Sequence, residues 1–335
     1  MKAPNRHKAI RIALYNHKGG VGKTILTANI AAALTSLGKK VLLVDSDPQC
    51  NLTSYFIEDS VVDNLLDESD SQQKGRTLWS ALKPIVEAEG SFKLVEPYET
   101  NTRHLSLLPG DIRLAEYESS LNRFWDDCFQ RRVSGFKGTC SLSRLVNECA
   151  RKLNADYVFY DTGPNIGPLN RVILLDCDYF IIPAACDLFS IRALKSLGHK
   201  MADWVQSWEQ ILSLAPNDTY LMPGKPKFLG YIPQRFKIYG GVITSTASRY
   251  ISRIEKTIFS DVVTVLHRVD SSLASKSMQG TQLGEVKDFS TLVQQAQKEG
   301  VPLSEVSNGL VDQKNQAKVS FQKIAEAIIK RVEKD

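Results

Sequence analysis

The sequence lacks the features that would mark a membrane-spanning, secreted or metal-cluster protein. No apolar run approaches the roughly 18 residues that a membrane-spanning helix needs. Six cysteines occur among 335 residues, and none forms a C-x-x-C pair, which disfavours a zinc or iron–sulfur site. The first eight residues are polar and basic, and the apolar stretch at residues 10–15 is too short for a signal-peptide core. We therefore expect a cytoplasmic protein with reduced thiols.

Composition leaves the fold class open, and the chain length restricts the number and size of domains. The chain has ordinary hydrophobic and charged fractions, 43% and 24%, and no internal repeat or low-complexity tract. Its net charge of +5 is too small to imply a nucleic-acid partner unless the cations cluster. The length fits one large α/β domain with insertions, or one domain with a small appendage.

Strand and helix patterns alternate along the chain. Residues 9–15 and 41–44 are short, apolar and typical of buried strands, and residues 24–37 between them have helical spacing of apolar side chains. Such a strand–helix–strand unit predicts parallel strands. Further strands are expected at residues 104–108, 156–160, 179–184 and 228–232. The pattern predicts an α/β fold: a doubly wound, mostly parallel sheet flanked by helices, as in P-loop NTPases.

We expect one domain over residues 1–335, with helical or loop insertions. The predicted insertions lie at about residues 58–103, 111–153, 203–227 and 270–300. Residues 111–153 should be mostly helical, with a break around 134–138. Residues 262–266 are predicted as a short strand, and residues 319–332 as an amphipathic closing helix.

A glycine-rich turn between the first strand and helix carries the clearest chemical signal. Its residues are Lys18, Gly19, Gly20, Val21, Gly22, Lys23 and Thr24. Glycines let the backbone N–H groups curl around a phosphate, and the helix N-terminus adds partial positive charge. Lys23 would supply a full charge to the outer phosphates, and the Thr24 hydroxyl suits Mg²⁺. Because a strand precedes the turn and a helix follows it, we interpret it as a phosphate-binding loop for Mg-ATP.

One departure from the general P-loop pattern points to a family. His17 occupies the position of the usual first glycine, and an additional lysine, Lys18, follows it. This loop resembles the deviant Walker A loop, K-G-G-x-G-K-[ST], of the ParA/MinD family of ATPases, closest to its compact ParA-like partition members. The resemblance implies that Lys18 crosses to the partner subunit and contacts its nucleotide in an ATP-bound dimer.

Two acidic motifs extend the resemblance. Residues 41–53 (VLLVDSDPQCNLT) resemble the second family motif, which implies that Asp47 places the hydrolytic water. Residues 156–164 (DYVFYDTGP) resemble the third, which implies that Asp161 holds Mg²⁺ through water. Two carboxylates, Asp45 and Asp47, at a strand end beside a phosphate site also suit a cation or an oriented water, although Asp-Pro is common turn chemistry. The expected metal set is Thr24, Asp47 and Asp161, and the expected catalytic set is Lys18, Lys23 and Asp47.

The chain also departs from the family. Ile25 replaces the usual second hydroxyl, which leaves one α-phosphate contact in doubt, and the residue is still included among the nucleotide-binding candidates. Cys50 replaces a glycine of the second motif. Pro233 ends a predicted strand near the position where the family seats the adenine base, so we include it among the nucleotide-binding candidates.

Function is expected to be that of a nucleotide-driven switch with slow, partner-stimulated ATP hydrolysis. ParA-like members bind non-specific DNA as ATP dimers and respond to a small adaptor protein, whereas MinD-like members bind a membrane through a C-terminal amphipathic helix. The DNA-binding candidates are Arg235, Lys237, Arg249, Arg253 and Lys256, of which the last three share one helical face. The alternatives are a solvated helix face, a MinD-like membrane- or protein-associated regulator, a metal-cluster carrier and a ligase or kinase on the same fold. The closing helix lacks Trp and has an ordinary core-facing stripe, which disfavours a membrane.

Overall fold

The computed structural model describes residues 7–236, 238–239 and 242–335. Its strands, in chain order, are β1 Ile10–Leu14, β2 Val41–Asp45, β3 Tyr98–Glu99, β4 Leu105–Leu108, β5 Tyr157–Asp161, β6 Tyr179–Ala185, β7 Lys227–Phe236, β8 Ile238–Tyr239, β9 Val242–Ile243 and β10 Val286–Lys287. Within the described residues, eight of these strands form one sheet in the order β10-β7-β6-β1-β5-β2-β4-β3, and β8 pairs with β9 separately.

The helices flank the sheet on both faces. They are α1 Lys23–Ser36, α2 Asn51–Phe56, α3 Asp59–Asp67, α4 Leu78–Val86, α5 Leu114–Phe129, α6 Val133–Thr139, α7 Ser141–Leu153, α8 Pro168–Asp176, α9 Leu188–Leu214, α10 Ser245–Ile258, α11 Thr264–Val269, α12 Ser290–Glu299 and α13 Val311–Val332. A π-helical turn, Phe259–Val263, joins α10 to α11.

The strand order confirms the predicted doubly wound sheet. β1 lies between β5 and β6 and is parallel to both, and β2 lies parallel to β5. Only β3 runs antiparallel to its neighbour within this sheet. Because the carboxyl ends of parallel strands meet at one edge, the ends of β1, β2 and β5 place their following residues together.

Alternation along each strand divides the core between two layers. In β1, Ala13 packs with the cluster that contains α5 and α9, whereas Ile12 and Leu14 pack with the cluster that contains α1 and α13. The stripe of α13 is buried in this second cluster, where Phe321, Ile324, Ala325 and Ile328 have 3% exposure or less. None of the helices in the described residues combines the length and apolarity needed to cross a membrane.

Two predictions about the helices were wrong. The break in residues 111–153 lies at 130–132, where Arg131 adopts a left-handed backbone with φ of 59°, and residues 134–138 are helical. The glycines that suggested a break at 134–138 instead allow close packing of α6 on α5: a Cβ at Gly138 would stand 2.3 Å from the Phe124 ring. Residues 262–266 are also helical: the segment packs on α9, and Val262, Val263 and Leu266 are fully buried.

A buried ion pair anchors β1 at its start. The Arg11 guanidinium is fully buried and donates to Asp176 at 2.6 Å, at the end of α8, and to Asn147 of α7 at 2.9 Å. Buried charges need such partners, because desolvation of an unpaired guanidinium is costly. Side chains of α7 and α8 therefore fix the start of β1, the strand that leads into the glycine-rich turn.

Candidate nucleotide and magnesium site

The glycine-rich turn lies at the carboxyl end of β1 and opens α1. Gly22 caps α1 in a left-handed conformation, with φ of 68°, that side chains rarely adopt. A Cβ at this position would also lie 2.6 Å from Oε1 of Gln234, at the end of β7. Both constraints require glycine here, and they place the turn at the N-terminus of α1, whose partial positive charge favours an anion.

Lys23 is held inside the turn. Its side chain is 7% exposed, and its Nζ donates to the backbone carbonyls of Asn16 at 3.0 Å and Lys18 at 3.4 Å. Burial lowers the pKa of Lys23, while the nearby Asp161 and Asp47 carboxylates oppose that shift. The amine therefore lies between the curled backbone and two acidic groups, as expected for a cation that serves phosphates beside a metal.

Thr24, in the first turn of α1, meets Asp161, the last residue of β5. The Thr24 hydroxyl donates to Oδ2 of Asp161 at 2.7 Å. Asp161 is fully buried, and its Oδ1 has no hydrogen-bond partner within the described part of the chain. Burial, reinforced by the adjacent Asp45 carboxylate, raises the pKa of Asp161 to about 8. A buried carboxylate with an unused oxygen beside a hydroxyl fits Mg²⁺, a hard cation that prefers oxygen ligands.

Asp45 supports this edge of the sheet. It lies opposite Asp161 in the register of β2 and β5, and its Oδ2 accepts from the backbone N–H of Thr53 at 2.7 Å and from the Thr53 hydroxyl at 2.6 Å. The Thr53 hydroxyl in turn accepts from the backbone N–H of Gly110 at 2.8 Å. Asp45 therefore ties β2 to the start of α2 and the segment after β4.

Asp47 occupies the loop after β2. It is 6% exposed, and its Oδ1 accepts from the backbone N–H of Gln49 at 3.0 Å. The same oxygen lies 3.5 Å from the position that a Cβ of Gly163 would take. Asp47 thus faces the loop that follows Asp161.

The loop at residues 162–167 is held largely by the buried amide of Asn170. Nδ2 of Asn170, which is 1% exposed, lies 3.0 Å from the carbonyl oxygens of Gly163 and Asn165 and 2.7 Å from Oδ1 of Asn165. The Tyr15 hydroxyl also donates to the Asn165 carbonyl at 3.1 Å. Asn170 was not predicted, since its spacing from the motif resembles that of any helical residue.

Lys18 points in a different direction from Lys23. Its Nζ lies 2.5 Å from Oδ2 of Asp187 and 3.2 Å from the Ser190 hydroxyl, both at the start of α9. The Lys18 side chain is 25% exposed, so its amine lies at the rim of the turn. Asp187 was not predicted, because nothing in its sequence context separates it from an ordinary helix cap.

The remaining nucleotide candidates lie around the turn. Ile25 is half-buried in the first turn of α1 and packs against the core cluster of that face. Pro233 is buried in β7 opposite Ala184, one residue before Gln234. Nε2 of Gln234 is buried and has no partner within the described residues, so this amide, rather than Pro233, has the free donor beside the loop.

The basic candidates form a separate group. Arg249, Arg253 and Lys256 are exposed on α10, and the Arg253 guanidinium lies 5.8 Å from the Tyr250 ring centre. Arg235 belongs to β7, and Lys237 lies outside the described residues. The described structure therefore places three of the five predicted cations on one helix.

Comparisons with known proteins agree with the motifs. Residues 9–214 match the family model AAA_31, described as an AAA domain. The chain is 32% identical over 192 residues to the sporulation initiation inhibitor protein Soj of Bacillus subtilis, a match that covers 56% of this chain and 62% of Soj. The chain thus spans less than two thirds of the length of the curated relatives first matched.

Solved structures share the fold over nearly the whole chain. A Corynebacterium diphtheriae protein superposes with a TM-score of 0.71 and 23% identity, covering 96% of this chain and 98% of that one. The structure of pNOB8 ParA bound to nonspecific DNA gives a TM-score of 0.61 and 21% identity, covering 98% and 99%. At these identities the likeness establishes the architecture.

Proposed function

This chain belongs to the AAA_31 family, among the ParA-like partition ATPases, and we propose that it acts as an ATP-dependent dimeric switch. In this proposal two copies close around ATP, the dimer binds DNA without sequence preference, and hydrolysis releases it. The biological role would be partition of DNA or positioning of another cargo. The protein would then be cytoplasmic and associated with the nucleoid while ATP is bound.

The observation that carries the dimer is the divergence of the two lysines. Lys23 is buried inside the turn, with its amine against backbone carbonyls, and Asp161 and Asp47 act on it electrostatically. Lys18 leaves the same turn toward Asp187 at the exposed rim. Since Lys23 already serves the phosphates of its own loop, a second lysine directed outward suits a nucleotide bound by another copy.

Each residue of the site has a proposed role in hydrolysis. Lys23 and the backbone of the turn would neutralise the phosphates, and Thr24 with Asp161 would hold Mg²⁺, which would offset the phosphate charge. Asp47 would orient the attacking water, and the loop at 162–167 would close that side of the site. Turnover would be slow in the single chain and stimulated by a partner.

The proposed DNA surface is the outer face of α10. Its three exposed cations would contact backbone phosphates, and a dimer would align two such faces. Doubling the phosphate contacts steepens the dependence of affinity on salt and raises affinity at low salt. The pNOB8 ParA complex with nonspecific DNA supports this proposal by structural likeness. The proposed organisation is a single domain with inserted segments. These segments would carry the binding site for a small adaptor protein that stimulates ATP hydrolysis.

Light scattering tests the dimer. The slow variant Asp47→Ala should form a dimer with ATP and magnesium and stay monomeric with ADP. Adding Lys18→Ala should abolish that dimer. A dimer that ignores the nucleotide, or one that survives without Lys18, would contradict the mechanism.

Fluorescence anisotropy on unrelated duplexes tests the DNA step. We expect binding with ATP that weakens steeply across a salt series, and much weaker binding with ADP or no nucleotide. Equal binding in all three states would reject nucleotide gating. Absence of binding even at low salt would favour a membrane or protein surface instead.

A further inference from the structure

The start of α9 forms a binding place for the Lys18 amine within the same chain. Asp187 is the N-cap of α9: its Oδ1 accepts from the backbone N–H of Ser190 at 2.8 Å, which directs Oδ2 toward Lys18. The Ser190 side chain adds a hydroxyl 3.2 Å from the same amine. Lys18 is thus held by a carboxylate and a hydroxyl whose positions the helix fixes.

The contact with Asp187 and the proposed dimer contact both use the Lys18 side chain and exclude each other. The Lys18 amine cannot bind Asp187 of its own chain and reach a nucleotide in a second copy at the same time. Closing a dimer would therefore require both copies to break the contact. In each copy, the factor by which the contact favours the single chain must lower the affinity of dimerisation, so a dimer of two copies includes this factor twice.

We propose that Asp187, with Ser190, is an intramolecular latch that holds Lys18 in its own subunit and opposes ATP-dependent dimerisation. The proposal rests on the proposed dimeric switch. It assigns a role in the switch to two residues outside the three motifs that sequence analysis identified.

The exposure of the two side chains indicates that the contact between Lys18 and Asp187 can open. The Lys18 and Asp187 side chains are 25% and 40% exposed, so water can replace each partner when the contact opens. Although partial burial opposes it, the hydrogen bonds from Lys18 and Ser190 keep the pKa of the Asp187 carboxyl below its usual value. The carboxylate therefore stays charged at neutral pH and remains available to recapture the amine.

A second contact links α9 to the same turn. The Ser196 hydroxyl lies 3.4 Å from Nε2 of His17, the residue before Lys18. The first three turns of α9 thus contact Lys18 and the residue before it through different side chains. This arrangement keeps Asp187 within reach of Lys18 whenever the loop is in the conformation of the single chain.

The expected size of the effect follows from the exposure of the pair. Partly exposed ion pairs contribute modestly, so releasing one latch should change the equilibrium by about threefold. A symmetric dimer breaks two latches, and the two factors multiply to about tenfold in the dimer Kd. The latch therefore tunes the ATP and protein concentrations at which the switch closes.

The decisive variant is Asp187→Asn on the Asp47→Ala background. Asparagine keeps the helix cap, since Asn and Asp are comparable N-cap residues, but it removes the negative charge that holds Lys18. Sedimentation with ATP and magnesium should show a dimer Kd about tenfold lower than in Asp47→Ala alone. Ser190→Ala, which retains the carboxylate, should shift the Kd in the same direction by a smaller factor.

Asp270→Asn is a matched control. Asp270 also binds a lysine, with Lys225 Nζ 2.7 Å from its Oδ2, and its Oδ1 also accepts a nearby backbone N–H, that of Ser272 at 2.9 Å. This pair lies beside the start of β7, at the opposite end of the strands from the phosphate loop. Its removal should leave the dimer Kd unchanged.

A second measurement examines the latch without a dimer. In the nucleotide-free protein, the rate at which an acylating reagent modifies Lys18, followed by peptide mass spectrometry, should rise several-fold in Asp187→Asn and not in Asp270→Asn. An unchanged or weaker dimer together with an unchanged acylation rate would overturn the latch. If every variant fails to dimerise with ATP while acylation rises as expected, the proposed function fails and the contact itself stands.

Discussion

The phosphate loop and the outer face of α10 both carry positive charge, but they hold it in opposite ways. Lys23 is almost fully buried and its amine is fixed by backbone carbonyls. Arg249, Arg253 and Lys256 are exposed, and none forms an ion pair with another described residue. A fixed, desolvated cation suits one ligand geometry, whereas mobile exposed cations suit a polyanion with repeated phosphates.

The largest expected effect is on ATP binding by the phosphate loop. Lys23→Ala removes a charge-assisted contact to the phosphates and should weaken Mg-ATP binding by at least about 10²-fold in calorimetry. Lys18→Ala, in the same loop but directed toward the rim, should change the affinity of the single chain far less. Equal losses in both variants would show that the two lysines do not have separate roles.

The next effect separates binding from turnover at the same site. Asp47→Ala should leave the ATP Kd near its original value and lower the hydrolysis rate by about 10²-fold, since a residue that orients water acts mainly in the transition state. Asp47→Asn keeps an acceptor for the Gln49 N–H and loses only the charge. If Asn restores turnover, Asp47 supports the loop and does not orient water.

A smaller effect is expected on DNA binding by the exposed cations of α10. Reversing Arg249 and Arg253 to Glu should abolish DNA binding at physiological salt and leave ATP binding intact. Each lost phosphate contact should lower the slope of log K against log salt by about 0.9, which an anisotropy series measures.

The matched control for α10 lies on the opposite face of the sheet. Lys318 and Lys323 are exposed on α13, so Lys318→Glu with Lys323→Glu makes the same change in net charge. This control should retain DNA binding. If it loses binding equally, the contribution comes from net charge and α10 is not a specific surface.

The two regions also differ in how well sequence predicted them. The strand–turn–helix around Lys23 was predictable because the glycines, the lysine and the hydroxyl are adjacent in sequence and their chemistry depends on local backbone geometry. Asp47 and Asp161 were proposed from the resemblance of their motifs to those of the family, and the meeting of parallel strands at one edge agrees with their placement beside the turn. The α/β architecture was confirmed for the same reason, since strand and helix periodicities are local signals.

What sequence could not predict depends on contacts between distant segments. Asp187 meets the phosphate loop from more than 160 residues away, and no spacing rule connects it to Lys18. Gly138 suggested a break because its helix-breaking tendency is local, whereas its packing against Phe124 is tertiary. Residues 262–266 suggested a strand because a short buried apolar run has the same composition in either structure.

The smallest expected effect lies where the phosphate loop departs from its family. Ile25 stands where a second hydroxyl is usual, and its half-buried side chain packs against the core. Ile25→Thr would supply a donor for the α-phosphate but lose some apolar burial, so we expect ATP affinity to rise by no more than about fivefold while the melting temperature falls slightly. Ile25→Val is the matched control, because valine has the shape of threonine without the hydroxyl. A gain in affinity in Thr but not in Val would show that the nucleotide lies over the first turn of α1. Equal affinities in the two variants would place the α-phosphate out of reach of position 25, and the free amide of Gln234 would become the next candidate donor to test.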